Sequence, residues 1–351
     1  MLKLKMRFIG LLTVLAVLSS LVCPAVPALA ATGASAAAAV PKQAVSETDA
    51  SVEEVIKNLS PSVVGIIGKL KPSSESYSSS GENLVFGSGV IYKSNGYIVT
   101  NAHVVADMET IVVVLSSGKA YKARLKAIDE QSDLACIKID KGMLKPAVFG
   151  DISQVAVGKP VVAIGTPLSF SLRNSASKGI ISGINRSTDG EYRFIQSDAA
   201  INGGNSGGPL VDLSGRIIGI NTSKYAGYGV EGLSFSIPVD TVSYVLGQFE
   251  KYGKVKRPYL GVVFVEGVAA RYGLPSNEGL TITDIVKNSP AEKYGLEIND
   301  VLMEVNGAEV TTIIDYNEEL KKYLPGSSAT LTVRRNGREI SLKAVFGEKE
   351  Q

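Results

Sequence analysis

Between residues 62 and 238 the sequence is a succession of short Val- and Ile-rich runs, each broken off by glycine, asparagine or serine. FGSGVIYKSNGYIVTNAHVV holds two such runs about Asn95-Gly96, and TIVVVLSSGKAYKARLKAID holds two about Ser117-Gly118. Both dipeptides signal hairpin turns. LACIKID follows, and after Gly150-Asp151 the pattern starts again with PVVAIGTP, KGIISGINR, RFIQSDA, GPLVDLSGRIIGINTS and GLSFSIP. Runs this short and closely spaced, with few helical stretches between them, predict an all-β region of two sandwich or barrel units, at 62–150 and 152–238.

The flanks read differently. VDTVSYVLGQFEKYGKV carries an apolar stripe at Val239, Val242, Val245, Leu246 and Phe249 and stops at Gly253, which predicts a helix over 239–253 packed on the second unit. That closes a domain over 52–255. From 256 to 347 strands alternate with two helical segments, near PAEKYGL and TIIDYNEELKKYL, giving a small α+β domain. ASVEEVIKNLSPSVVGI predicts a short helix stopped before Pro61, then a strand. KPSSESYSSSGEN, 71–83, is a polar loop.

Residues 1–30 stand apart. MLKLKMR is basic, Phe8 to Val22 is apolar, and CPAVPALA ends in Ala28-Leu29-Ala30. This is the pattern of a secretory signal peptide, with an uncleaved membrane anchor as the alternative. Residues 31–51 are Ala-rich and aperiodic and read as a flexible linker. In either case the remainder is exported, to be secreted or held at the cell envelope, with possible membrane association through the N-terminus. The two cysteines are Cys23, inside the signal, and Cys136, so the mature chain has no partner for an intrachain disulfide. Lys and Arg number 36 against 34 Asp and Glu, which gives no electrostatic case for nucleic acid as a partner. No cofactor and no metal are expected.

Three polar residues carry the chemistry. AAINGGNSGGPLV (199–211) sets Ser206 among Gly203, Gly204, Gly207 and Gly208. The glycines permit sharp turns and leave backbone N–H groups to converge on a developing oxyanion. Serine needs a base, and His103, in TNAHVV, is the single histidine of 351 residues. A base needs an orienting carboxylate, and Asp133 in QSDLACIKID offers one, with Asp129 and Asp140 nearby as competitors. The order His103, Asp133, Ser206 is that of chymotrypsin. With His103 and Asp133 in the first β unit and Ser206 in the second, the site falls in the cleft between them.

TNAHVV, DLACIKI, GNSGGPLV and GLSFSIPVD together resemble the HtrA/DegP family of exported trypsin-like serine proteases. YLGV, NSPAEKYGLEINDVLMEVNG and ATLTVRRNGREISL resemble the PDZ domain of that family. The resemblance spans about 52–347. It implies a mainly β chain: a chymotrypsin-like double β-barrel protease domain, then one small α+β PDZ domain. It implies Ser206 as nucleophile, His103 as general base and acid, Asp133 as orienting carboxylate, and the backbone N–H groups of Gly204 and Ser206 as oxyanion hole, with Asn205 setting that loop. The base of the primary pocket falls on Ala200 and Ile201, with Leu233 and Phe235 as another wall. An uncharged pocket of this kind favours small aliphatic side chains at the cleaved position, with modest discrimination among them. The backbone of Gly232 to Phe235 is expected to pair with an extended substrate, and Tyr259, Leu260, Gly261 and Val262 to hold a C-terminal carboxylate.

The expected partners are unfolded or extended polypeptides, C-terminal peptides at the PDZ domain and two further copies in a homotrimer. The expected function is degradation of misfolded exported proteins. The alternatives are a chaperone or PDZ scaffold for unfolded chains, and a regulatory protease with one specific membrane-protein substrate. Activation loops are expected at 169–179 and 187–192. Gly203, where the family often has proline, and Thr166, where it often has asparagine, depart from the family pattern without touching the three residues.

Overall fold

The computed structural model describes residues 51–72, 84–166, 170–187, 192–223 and 232–349. The expected signal peptide, nearly all of the linker, most of the serine-rich loop and part of each expected activation loop lie outside them. The described chain opens with α1 (Val52–Leu59), whose Ser51 side chain accepts the Glu54 N–H while Glu54 reaches back to the Ser51 N–H.

Two closed six-stranded barrels follow. The first holds β1 (Val63–Leu70), β2 (Leu84–Lys93), β3 (Tyr97–Thr100), the one-turn helix α2 (Ala102–Val105), β4 (Met108–Val114), β5 (Ala120–Asp129) and β6 (Leu134–Ile139). Its strand order is β1-β2-β3-β6-β5-β4, antiparallel throughout. The second holds β7 (Pro160–Gly165), β8 (Ser175–Arg186), β9 (Phe194–Ser197), β10 (Pro209–Asp212), β11 (Ile217–Thr222) and β12 (Ser234–Pro238), in the order β10-β11-β12-β9-β8-β7. Closure leaves neither barrel a free edge. Gly96 (φ 97°) and Gly118 (φ 84°) make the turns at the two predicted hairpins.

Each barrel has its own apolar interior, around Ile66, Ile98 and Ile137 in the first and Val161, Ile195 and Leu210 in the second. A third cluster joins them. Val63, Val90 and Leu134 of the first barrel pack with Val162, Val211 and Ile220 of the second, and Val242, Val245 and Phe249 of α3 (Val239–Tyr252) close over them. Burial on this scale is worth about 25 cal/mol per Å² of apolar surface and holds the barrels in one relative position without a disulfide. Cys136 belongs to this cluster, bonded to the Tyr92 hydroxyl at 3.2 Å, and burial pushes its thiol pKa up.

The remaining elements are β13 (Pro258–Tyr259), β14 (Val262–Glu266), α4 (Val268–Arg271), β15 (Leu280–Ile285), α5 (Pro290–Lys293), β16 (Val301–Val305), β17 (Ala308–Glu309), α6 (Ile313–Leu320), β18 (Ser328–Arg335), β19 (Arg338–Val345) and β20 (Gly347–Glu348). The sheet β14-β15-β16-β18-β19 packs with α5 and α6 around Leu260, Leu302, Leu331 and Phe346.

Candidate active site

His103 lies on α2, just after β3; the sequence places it at a strand end, and one helical turn carries it there. Asp133 stands in the β5–β6 turn with φ 54°, a left-handed backbone uncommon outside glycine. That conformation is held by its carbonyl, which accepts from Asn101 Nδ2 at 3.0 Å and from the Ala102 N–H at 3.1 Å. The Asp133 carboxylate is buried and takes three donors. His103 Nδ1 is 2.9 Å from both its oxygens, the His103 N–H bonds Oδ1 at 3.0 Å, and Thr222 Oγ1 donates to Oδ2 at 3.2 Å. A carboxylate against Nδ1 keeps the proton there and leaves Nε2 as the acceptor. Asp129 and Asp140, the competing carboxylates, are engaged elsewhere: Asp140 pairs with Arg124, and Asp129 with Arg257.

The Ser206 loop is tied to the first barrel by Ser88. The Ser88 N–H donates to Ser206 O at 2.8 Å, and Ser88 Oγ donates to Gly204 O at 2.7 Å. Gly207 has φ 84°, and a Cβ there would sit 2.1 Å from Ser88 O, so both conformation and space demand glycine. Gly204, at φ 99°, turns the loop. The N–H groups of Gly204 and Ser206 have no acceptor among the described residues, whereas those of Asn205, Gly207 and Gly208 are spent on Asn202, Asn221 and Asn205 carbonyls. An oxyanion site requires such unspent backbone donors. Ser206 Oγ is bonded to Ser223, at 2.6 Å from its Oγ and 3.0 Å from its N–H.

The expected pocket residues are unevenly placed. Ala200 is exposed and its carbonyl accepts from Ser177 Oγ at 2.8 Å. Ile201 is buried against the interior of the second barrel. Leu233 is 44 % exposed, while Phe235 packs edge-on against Phe194 at 6.3 Å. Pairing of a substrate strand along all of Gly232 to Phe235 needs correction. Phe235 already faces Thr222 on β11 and Gln196 on β9, because barrel closure consumes both its sides. Among the described residues, the stretch without ladder partners is Gly232-Leu233. Among the described residues, Thr166 has its Oγ1 buried without a partner, and a Cβ at Gly203 would meet no atom within 4 Å.

A cavity of about 690 Å³ lies between β14 and α6, lined by Tyr259 to Val262 and also by Tyr192 and Arg257. Leu260 O accepts from the Ala291 N–H at 2.8 Å and Gly261 O from the Val286 N–H at 2.9 Å. The N–H groups of Leu260 and Gly261 have no acceptor among the described residues. Gly261 has φ 82°, and a Cβ would meet Ser289 at 2.2 Å. Behind this loop the guanidinium of Arg257 grips Asp129 through two bonds of 2.6 and 2.5 Å, with Tyr192 Oη 3.2 Å away. Asp129 also accepts from the N–H of Ser132, the residue before Asp133, at 3.0 Å.

Sequence reasoning did not find Ser88, Thr222 or Ser223. The signal for Ser88 was a hydroxyl between two glycines inside an apolar strand. For Thr222 and Ser223 it was a pair of hydroxyls ending one.

These features define a trypsin-like serine protease followed by a PDZ domain. Residues 87–220 match the family model of the trypsin-like peptidase domain, and residues 258–345 that of the PDZ domain. The chain belongs to the HtrA family. It is 36% identical to the serine protease Do-like HtrA of Bacillus subtilis (strain 168), covering 87% of this chain and 75% of that one. It is 39% identical to a probable periplasmic serine endoprotease DegP-like of Pseudomonas putida (strain W619), covering 74% of this chain and 55% of that one. Among solved structures, the HtrA-type protease AlgW with decapeptide is similar with a TM-score of 0.72 and 30% identity, over 86% of this chain and 99% of that one.

Proposed function

We propose that this chain is an exported serine endopeptidase that degrades misfolded or damaged proteins in cell-envelope quality control. The observation that carries the reading is the single imidazole, fixed through Nδ1 on the buried Asp133 at 2.9 Å, within a barrel clasped to the glycine-rich Ser206 loop.

In this reading Ser206 Oγ turns to His103 Nε2, gives it its proton and attacks the scissile carbonyl. The oxyanion forms against the N–H groups of Gly204 and Ser206. His103 then passes the proton to the leaving amine, and Asp133, held by Thr222, stabilises the imidazolium between the two transfers. Water repeats the sequence on the acyl-enzyme. The open Leu233, with Ala200 and Ile201, sets a preference for small aliphatic side chains at the cleaved position. An extended polypeptide pairs with Gly232-Leu233. The free N–H groups of Leu260 and Gly261 take a C-terminal carboxylate at the mouth of the 690 Å³ cavity. Support for peptide binding comes from the similar HtrA-type protease AlgW, solved with a decapeptide and with a tripeptide. The protein acts outside the cytoplasm, as a homotrimer, secreted or held at the envelope.

The test is hydrolysis of β-casein by the purified protein and by Ser206→Ala. The expected outcome is cleavage by the first and none by the second. If neither cleaves and both suppress aggregation of an unfolded protein, the chaperone reading replaces this one. Cleavage that begins only on addition of a C-terminal peptide supports the regulatory protease.

A further inference from the structure

The loop that carries Ser206 has little backbone freedom left. The Asn205 N–H bonds Asn202 O at 2.9 Å, the Ser206 carbonyl accepts from Ser88 at 2.8 Å, and the Gly207 N–H bonds Asn221 O at 3.0 Å. What can still change at Ser206 is χ1, which has three staggered wells. In the well occupied here Oγ sits 2.6 Å from Ser223 Oγ and 3.0 Å from the Ser223 N–H. Among the described residues these are its bonds, and His103 has no part in them.

A serine hydroxyl has one proton to give and two lone pairs to share. The Ser223 N–H takes one lone pair. The Ser223 hydroxyl takes either the proton that His103 must remove or the second lone pair, which must attack. In both arrangements Ser206 has to leave Ser223 before it can react. Ser223 directly follows Thr222, the donor to Asp133. One strand end therefore both steadies the Asp133 carboxylate and engages the Ser206 hydroxyl.

We propose that Ser223 is a positioning residue that holds Ser206 in a resting rotamer, so that its hydroxyl sets the fraction of enzyme ready for acylation. The proposal rests on the reading of Ser206 as the nucleophile. When the competent state is a minor rotamer, the observed rate falls by its population. The restraint acts on the free hydroxyl alone. In the acyl-enzyme Oγ is an ester oxygen and the attacking group is water, so deacylation is not held back.

The test uses the full chain and diisopropyl fluorophosphate. In the labelling step the Ser206 Oγ–P bond forms, the P–F bond breaks, the hydroxyl proton passes to His103 Nε2 and fluoride leaves. Ser223→Ala removes the hydroxyl and keeps the N–H. Labelling is expected to quicken about fivefold, the effect of one neutral hydrogen bond. With a chromogenic peptide ester, the acylation rate constant should rise by the same factor, with the substrate dissociation constant and the deacylation rate constant unchanged. Ser223→Thr keeps a hydroxyl and should label at the original rate. Ser223→Gly is a second variant without the hydroxyl, should Ala disturb the fold.

A rate unchanged or lowered in both hydroxyl-free variants overturns the proposal, as does an equal rise in deacylation. Labelling that vanishes in Ser206→Ala yet ignores Ser223 overturns this proposal alone. Labelling that survives in Ser206→Ala overturns the nucleophile reading and this one with it.

Discussion

Asp133 is a buried carboxylate with three donors, and only one of them is the imidazole. Its position therefore depends on Thr222, a residue of the other barrel. A hydrogen bond to a charged group is worth about 1.5–3 kcal/mol. Thr222→Val, which keeps the volume and removes the donor, should lower kcat about tenfold or more with KM little changed, as steady-state hydrolysis of a peptide substrate will show. The pairing of His103 with Asp133 and the glycine-rich loop around Ser206 were legible because each residue sits in its own string and the proposed chemistry needs those three residue types. Ser88, Thr222 and Ser223 were not. A hydroxyl in an apolar strand looks the same whether it faces its own barrel or reaches across to the next, and only the packing of two barrels decides.

Among the elements, the hairpins were the most legible, since Gly96 and Gly118 take positive φ where the turns need it. The helix α3 was equally plain, with its apolar stripe and its stop at Gly253, φ 74°. What periodicity hides is which strand edges remain open: the backbone of Phe235 was expected to pair with a substrate strand and is instead paired on both sides within the barrel. The segment between α3 and β13 gave no signal beyond its composition, yet Arg257 makes a buried bidentate pair with Asp129 of the first barrel. Burial also pushes the pKa of Tyr192, beside that pair, up to about 12, so it stays a neutral phenol at physiological pH. Removing one partner of a buried pair strands the other's charge and costs about 3–5 kcal/mol. Arg257→Met should therefore lower the unfolding free energy by about that much, read from the urea midpoint at constant m. Because Asp129 also anchors Ser132, the variant should lose activity below its unfolding temperature as well.

On the scale of the whole molecule, the α+β domain docks on the protease through α6. Lys321 Nζ bonds Thr241 Oγ1 of α3 at 2.7 Å and lies 4.6 Å from the Tyr192 ring, and Arg193 pairs with both Asp240 and Glu318. Burial lowers the pKa of Lys321, with Glu318 opposing the shift. None of this was visible in a sequence in which TIIDYNEELKKYL reads simply as a helical segment, because docking charges look like surface charges until a partner is placed opposite them. The proposed reaction draws on both barrels, with His103 and Asp133 from one and Ser206 from the other, and no second histidine is there to take over proton transfer. The rate of β-casein hydrolysis by His103→Ala is the most direct measure of this account. It should equal the background of Ser206→Ala; hydrolysis clearly above that background would mean that another group carries the proton and that His103 is not the base.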